Sequence, residues 1–306
     1  MMPVGLVCMA YGSPATLEDV LSYYTHIRGG KTPSPDQVAE LRERYLRIGG
    51  QSPLAEITQR QATGVARALQ EDDMDVRAYV GMKHAPPFIA DVVARMAGDG
   101  IRRAVGLALA PHYSQISVAS YFATAEEAAS RHKIGLTCVQ SWHDLPGFIT
   151  TLVNRVRTAR AALPDADEAP VVFTAHSLPQ RILSWHDPYP DQLARTCELV
   201  AVQAGLRDWR FAYQSASHTG EPWLGPDLLE ALDQIREEGH TSVVICPVGF
   251  VADHLEVLYD IDIEAAGYAD ALGVRLVRAP TAGCGADFLG ALADLLRPHV
   301  REAAHA

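Results

Sequence analysis

PVGLVCMAYGSP at residues 3–14 and APVVFTAHSLP at residues 169–179 decide the fold, because each is a short apolar β-rich run that breaks at a polar residue into a proline-containing loop. Strands covered on both faces read as near-continuous hydrophobic runs. The same succession follows each. DVRAYVGMKHAPPF (75–88) answers DWRFAYQSASHTGEPW (208–223), and GIRRAVGLALAPHYS (100–114) answers GHTSVVICPVGF (239–250). LTCVQSWHDLPGFITTLV (136–153) answers VRLVRAPTAGCGADFLGAL (274–292), each a strand running into a loop and an amphipathic helix. Four matches in one order, with helical stretches between strands, predict an α/β unit present twice. ARAALPDADEAP (159–170) carries no strand signal and places the boundary near Asp165 to Asp167. The expectation is two similar Rossmann-like domains, residues 1–165 and 166–306, each a four-stranded parallel sheet flanked by helices. The period is far too long for a solenoid, so a cleft between two lobes should carry function.

The 306 residues, 48% hydrophobic and 21% charged, suit an ordinary globular protein. Five scattered cysteines without CxxC spacing read as buried thiols of a reducing compartment. The first apolar run is too short to span a membrane and no basic leader precedes it, so a cytoplasmic protein without integral membrane contact is expected. A net charge of −11 disfavours nucleic acid as a partner, while leaving room for a local basic pocket.

In open parallel sheets ligands bind beyond the carboxyl ends of the strands. The residues at those exits are Tyr11, His84, His112 with Tyr113, and Trp142, then His176, Ser215 with His218, and Asp253 with His254. For any single histidine here, a structural role is the commoner one; their shared edge favours a site. The sharpest feature is VADHLEVLYDIDIE (251–264), where Glu256, Asp260 and Glu264 recur every four residues and would form one file on a helix face. No base stands in this segment to offset them, so the file calls for a compensating cation. Oxygen ligands plus an imidazole suit a partly hydrated divalent ion such as Fe²⁺, Co²⁺ or Zn²⁺. GxSxG, HExxH, Walker A and GxGxxG patterns are absent.

The motifs TAHSLP (174–179), DPYPDQL (187–193), WLGPD (223–227) and PVGFVADHLEVLYDID (247–262) together make the chain resemble the ferrochelatases along nearly its whole length. MAYGSP (9–14), YYTHIRGG (23–30), RYLRIGGQSPL (44–54) and LAPHYS (109–114) are similar to the bacterial branch acting on coproporphyrin III. The resemblance implies a chelatase-like fold and insertion of ferrous iron into coproporphyrin III, with protoporphyrin IX as the alternative substrate. It implies His176 and Glu256 as the catalytic pair at the inner metal site. Asp260 and Glu264 would continue outward as a divalent-metal path or second site, for example for Mg²⁺, with Arg44 beside them. Tyr11 would face the other side of the macrocycle and ligate product iron, while Arg28, Arg44, Tyr45, Ser52 and Tyr121 would contact the tetrapyrrole or its propionates. Two residues depart from the family pattern: Val257 stands where many relatives have Thr, and Asp260 where many have Glu. The C-terminal RPHVREAAHA lacks the cysteines of cluster-bearing relatives, so no iron–sulfur cluster is expected. The remaining expectations are a monomer with transient contacts to neighbouring haem-pathway enzymes. The rival readings are a sirohydrochlorin cobalt chelatase and a non-catalytic tetrapyrrole or metal carrier.

Overall fold

The computed structural model describes residues 3–217 and 220–305. Eight strands alternate with helices: β1 (Val4–Ala10), β2 (Val76–Met82), β3 (Arg103–Ala108) and β4 (Gly135–Val139), then β5 (Val171–His176), β6 (Trp209–Gln214), β7 (Ser242–Cys246) and β8 (Arg275–Arg278). They form two four-stranded sheets in the orders β2-β1-β3-β4 and β6-β5-β7-β8, with all pairings parallel. The two orders are the same order, as the paired sequence runs require. Each central strand, β1 and β5, is apolar and buried because helices cover both its faces.

The helices are α1 (Val20–Ile27), α2 (Pro35–Arg47), α3 (Leu54–Gln70), α4 (Ile89–Gly98), α5 (Val118–His132), α6 (Pro146–Arg160), α7 (Tyr189–Ala204), α8 (Leu228–Glu237), α9 (Ala266–Leu272) and α10 (Ala286–His305). A 3-10 helix spans Gln180–Trp185 and a π-helix spans Glu256–Ala265. Local sequence explains where helices begin. Ser34 caps α2 in a reciprocal box with Gln37, and Pro35 opens its first turn. That start puts Arg44 and Tyr45 in the last turn of α2, facing the second half of the chain.

The sheets keep to either side of residue 165, but two helices change sides. Helix α6 packs on α7, β7 and β8, whereas α10 returns to lie on α3, β1, β3 and β4. Their apolar faces meet in an aromatic cluster, where Phe148 and Phe288 lie 5.1 and 5.9 Å from Trp142 and 6.0 Å from each other. Each such ring, fully buried, stabilises by about 2–3 kcal/mol. The largest apolar cluster therefore runs through both halves. Among the described residues, no helix is long and apolar enough to cross a membrane.

Candidate active site

His176 is the last residue of β5, and three contacts fix it there. The Tyr189 hydroxyl donates to its carbonyl at 2.9 Å, and its Nδ1 faces the Ser177 carbonyl. Gly249 lies flat against the preceding residue: a Cβ there would come within 2.6 Å of the Ala175 Cβ. Only glycine lets the loop leading to Glu256 approach β5 this closely. On the neighbouring strand, the Gln214 amide donates to the Glu256 carbonyl at 2.9 Å. Strand exit and π-helix start are thus tied by a side chain of β6 to the backbone of Glu256.

The Glu256 carboxylate stands between two imidazoles, with His176 Nε2 3.5 Å from Oε1 and His254 Nε2 3.5 Å from Oε2. These separations are too long for strong hydrogen bonds. They are near the roughly 3.4 Å between two donors on one tetrahedral metal ion with bonds of about 2.1 Å. Burial pushes the Glu256 pKa up, but His176, then His254 and Arg44, outweigh it and bring it down to about 2. Glu256 is therefore ionised throughout the neutral range.

The carboxylate file differs from its expected form in its winding. Glu256 to Ala265 wind as a π-helix, a form found mostly as short bulges at functional sites. Four-residue spacing satisfies either an i→i+4 or an i→i+5 ladder, so periodicity alone could not separate them. The counter-charge comes from outside the segment, from the arginine that the resemblance sets beside the file: the Arg44 guanidinium, 216 residues away, pairs with Asp260, and the Ser215 hydroxyl donates to the other oxygen. Ser215 does so from a left-handed backbone at φ 62°, a strain of about 1–3 kcal/mol that recurs at working sites. Glu264 lies exposed at the outer end. Val257 is fully buried in the core behind the file, where a valine meets only apolar neighbours.

Asp260 has a pH consequence. Burial first, with Glu256 and Glu264 adding to it, lifts its pKa from 3.8 to about 6 against the opposing pull of Arg44 and Ser215. The folded protein then holds a proton that the unfolded chain releases between about pH 4 and pH 6. Stability due to Asp260 should fall as pH rises through that window and stay level above it. Glu256 works in the opposite sense: its contribution is present above the ordinary carboxylate range and is lost as pH falls toward about 2. Urea midpoints of wild type minus Asp260→Asn, taken from about pH 4 to pH 7, should show the decline; a flat difference would assign it elsewhere.

Tyr11 follows β1, with its ring 4.6 Å from that of His84, whose Nδ1 lies 3.0 Å from Nδ1 of His26. Gly12, at φ 95°, turns the chain beside Ala85, and its carbonyl accepts from the Tyr23 hydroxyl at 3.0 Å. Tyr45 and Tyr121 are buried, and burial together with the Glu256 charge raises the phenol pKa values of Tyr11, Tyr45 and Tyr121. Ser52 is buried, its hydroxyl accepting from the Leu54 amide at the start of α3. Arg28 is exposed and donates to Gln37 at 3.1 Å, near a surface depression of about 690 Å³ along α1 that holds neither His176 nor Glu256. Arg44, by contrast, has its charge engaged by Asp260.

Two members of the site were not carried forward from the sequence. His254 stood among the strand-exit residues without a role, and Lys83, with its Nζ 5.2 Å over the Tyr121 ring, was passed over. The DHLE string, with its histidine two residues before Glu256, was the available signal. Other exit residues proved structural. The Trp142 indole donates to the Ala108 carbonyl inside the core, and His112 is buried against Thr196. His218 lies outside the described residues.

Two parallel sheets with strand exits facing one another, and an imidazole–carboxylate–imidazole row, define a chelatase-type α/β protein. Solved structures of that type share the fold. SirB from Bacillus subtilis with Fe³⁺ superposes with a TM-score of 0.62 over 99% of this chain and 98% of its own at 9% identity, and CbiX, described as the terminal enzyme for siroheme biosynthesis in denitrifying bacteria, with 0.55 over 96% and 98% at 11%. The chain belongs to the ferrochelatase family, whose sequence pattern matches residues 3–300. It is 46% identical over 98% of its length to the coproporphyrin III ferrochelatase of Anoxybacillus flavithermus, 97% of which is covered. It is 44% identical to that of Bacillus subtilis strain 168, over 96% of each chain.

Proposed function

We propose that this ferrochelatase inserts Fe²⁺ into coproporphyrin III, giving iron coproporphyrin for haem synthesis and releasing two pyrrole protons. The observation that carries the reading is the Glu256 carboxylate held between the His176 and His254 imidazoles. Ferrous iron must shed water in steps while two N–H protons leave the ring, which calls for oxygen and nitrogen ligands next to proton acceptors. His176 and Glu256 supply both. The first half, residues 1–165, would seat the macrocycle, and 166–306 would handle metal and protons. Tyr45 and Tyr121 give walls against which a bent ring could be held, exposing nitrogen lone pairs. Tyr11, its phenol pKa raised by burial and by Glu256, would give up its proton to ligate iron only once the metal has arrived.

Arg28, Ser52 and Lys83 offer charge and hydrogen bonds to propionates, with Arg44 behind them. Asp260 and Glu264 are proposed as the outward metal path, Glu264 being free to hold a hydrated Mg²⁺. The proposal extends to a monomer working in the cytoplasm beside other haem-pathway enzymes, without an iron–sulfur cluster. Dispersed free cysteines support it, with burial raising the Cys8 and Cys246 thiols to about 12. Anaerobic Fe²⁺ insertion assays on coproporphyrin III and protoporphyrin IX test the reading. The first should have a kcat/KM at least about tenfold higher, since a site built for propionates is left unpaired by a ring with fewer of them. Equal values would overturn the substrate, and no insertion into either would favour a carrier.

A further inference from the structure

We infer that Arg278 is a positioning residue for the metal site, a clamp that sets the pitch of the π-helix and so the placing of Glu256 and His254; this rests on the metallation reading above. Arg278 ends β8. Its guanidinium takes the Asp262 carboxylate with both oxygens, Nε to Oδ1 at 2.6 Å and Nη2 to Oδ2 at 2.9 Å. Its remaining nitrogen, Nη1, reaches Asp253 Oδ1 at 3.2 Å, and the Thr281 hydroxyl donates to that same oxygen at 3.0 Å. One cation therefore spans the residue before His254 and the second turn of the element that begins at Glu256.

The neighbouring contacts leave the loop little other freedom. The Gln61 amide, fully buried on α3, donates to the Val251 and Gly283 carbonyls at 2.9 Å each, and the Gly283 amide donates to the Val251 carbonyl at 2.9 Å. A π-helix is a rare ladder that persists where tertiary contacts hold it. Here Arg278 holds it by Asp262 and Gln214 by the Glu256 carbonyl. Loosening the arginine's hold lets the segment tighten toward an ordinary helix, which would move Glu256 relative to His176. Displacing an active group by about 1 Å costs roughly 10²-fold, while the macrocycle contacts on the first half stay where they are.

Arg278→Gln is expected to weaken Co²⁺ binding, followed by titration calorimetry on the full chain, and to raise the KM for Fe²⁺, each by about tenfold or more. Coproporphyrin binding, read by fluorescence quenching, should stay within about twofold. Arg278→Lys should recover little, because an ammonium cannot fork onto Asp262 and reach Asp253 together. Wild-type metal constants in folded Arg278→Gln, or equal losses of metal and porphyrin binding, would overturn the clamp. Should Arg278→Gln fail to fold, Asp262→Asn carries the test, with a smaller shift in the same direction expected and unchanged metal constants refuting it. The wild-type assay separates the two ideas: no insertion by wild type refutes the metallation reading, while Co²⁺ affinity still reports on the clamp.

Discussion

His176→Ala is expected to lower iron insertion by about 10³-fold, within the range that a positioned proton acceptor contributes, and by more if the imidazole also ligates the incoming ion. Porphyrin binding should survive, since Tyr11, Tyr45 and Tyr121 come from the other half of the chain. The variant retains Glu256 and His254, so metal would still be attracted to the site without the acceptor on the β5 side. Fluorescence quenching by the porphyrin and anaerobic turnover, measured on one preparation, check both statements. Turnover at the wild-type rate would remove His176 from the mechanism.

Arg44→Met should cost about 3–5 kcal/mol of stability near pH 8, the usual penalty for leaving a buried charge without its partner. Asp260 is only 5% exposed, and its other partner, Ser215, carries no charge. The penalty has a pH signature, because a protonated Asp260 needs no cation: near pH 5 it should shrink to little more than lost packing on the Tyr259 ring, over which the guanidinium lies at 4.5 Å. Arg44→Met with Asp260→Asn should recover most of the loss at pH 8. Urea unfolding of the four forms at both pH values makes a double-mutant cycle. Equal losses at pH 5 and pH 8 would show that the arginine acts by packing and not by charge.

How far the sequence reaches can be judged from these same residues. The eight strands and their duplication were legible because each strand is a local apolar run with its own exit residue, and the same four runs recur in the same sequence; their order within the sheet was not. His176 and Glu256 were legible because strand exits in a parallel sheet gather at one edge, so position along the chain was enough to place them together. The carboxylate file was legible as a pattern that needs a cation, but its spacing could not say which, since the arginine that pairs with it belongs to α2. His112 and Trp142 carried the same exit signal as His176 yet are buried in the core, each lying in a loop a few residues beyond its strand whereas His176 is the last residue of β5.

The sequence by itself determined the duplicated α/β unit, the edge at which chemistry collects and the residue types held there, because these follow from hydrophobic runs, turn residues and short spacings. Tertiary structure alone decided that Arg278 grips Asp253 and Asp262, that Ser215 meets Asp260, that the acidic segment winds as a π-helix, and that α6 and α10 each cover the other half's sheet. The reason is physical: such pairings depend on which side chains face one another after packing, and separation along a chain fixes no distance across it.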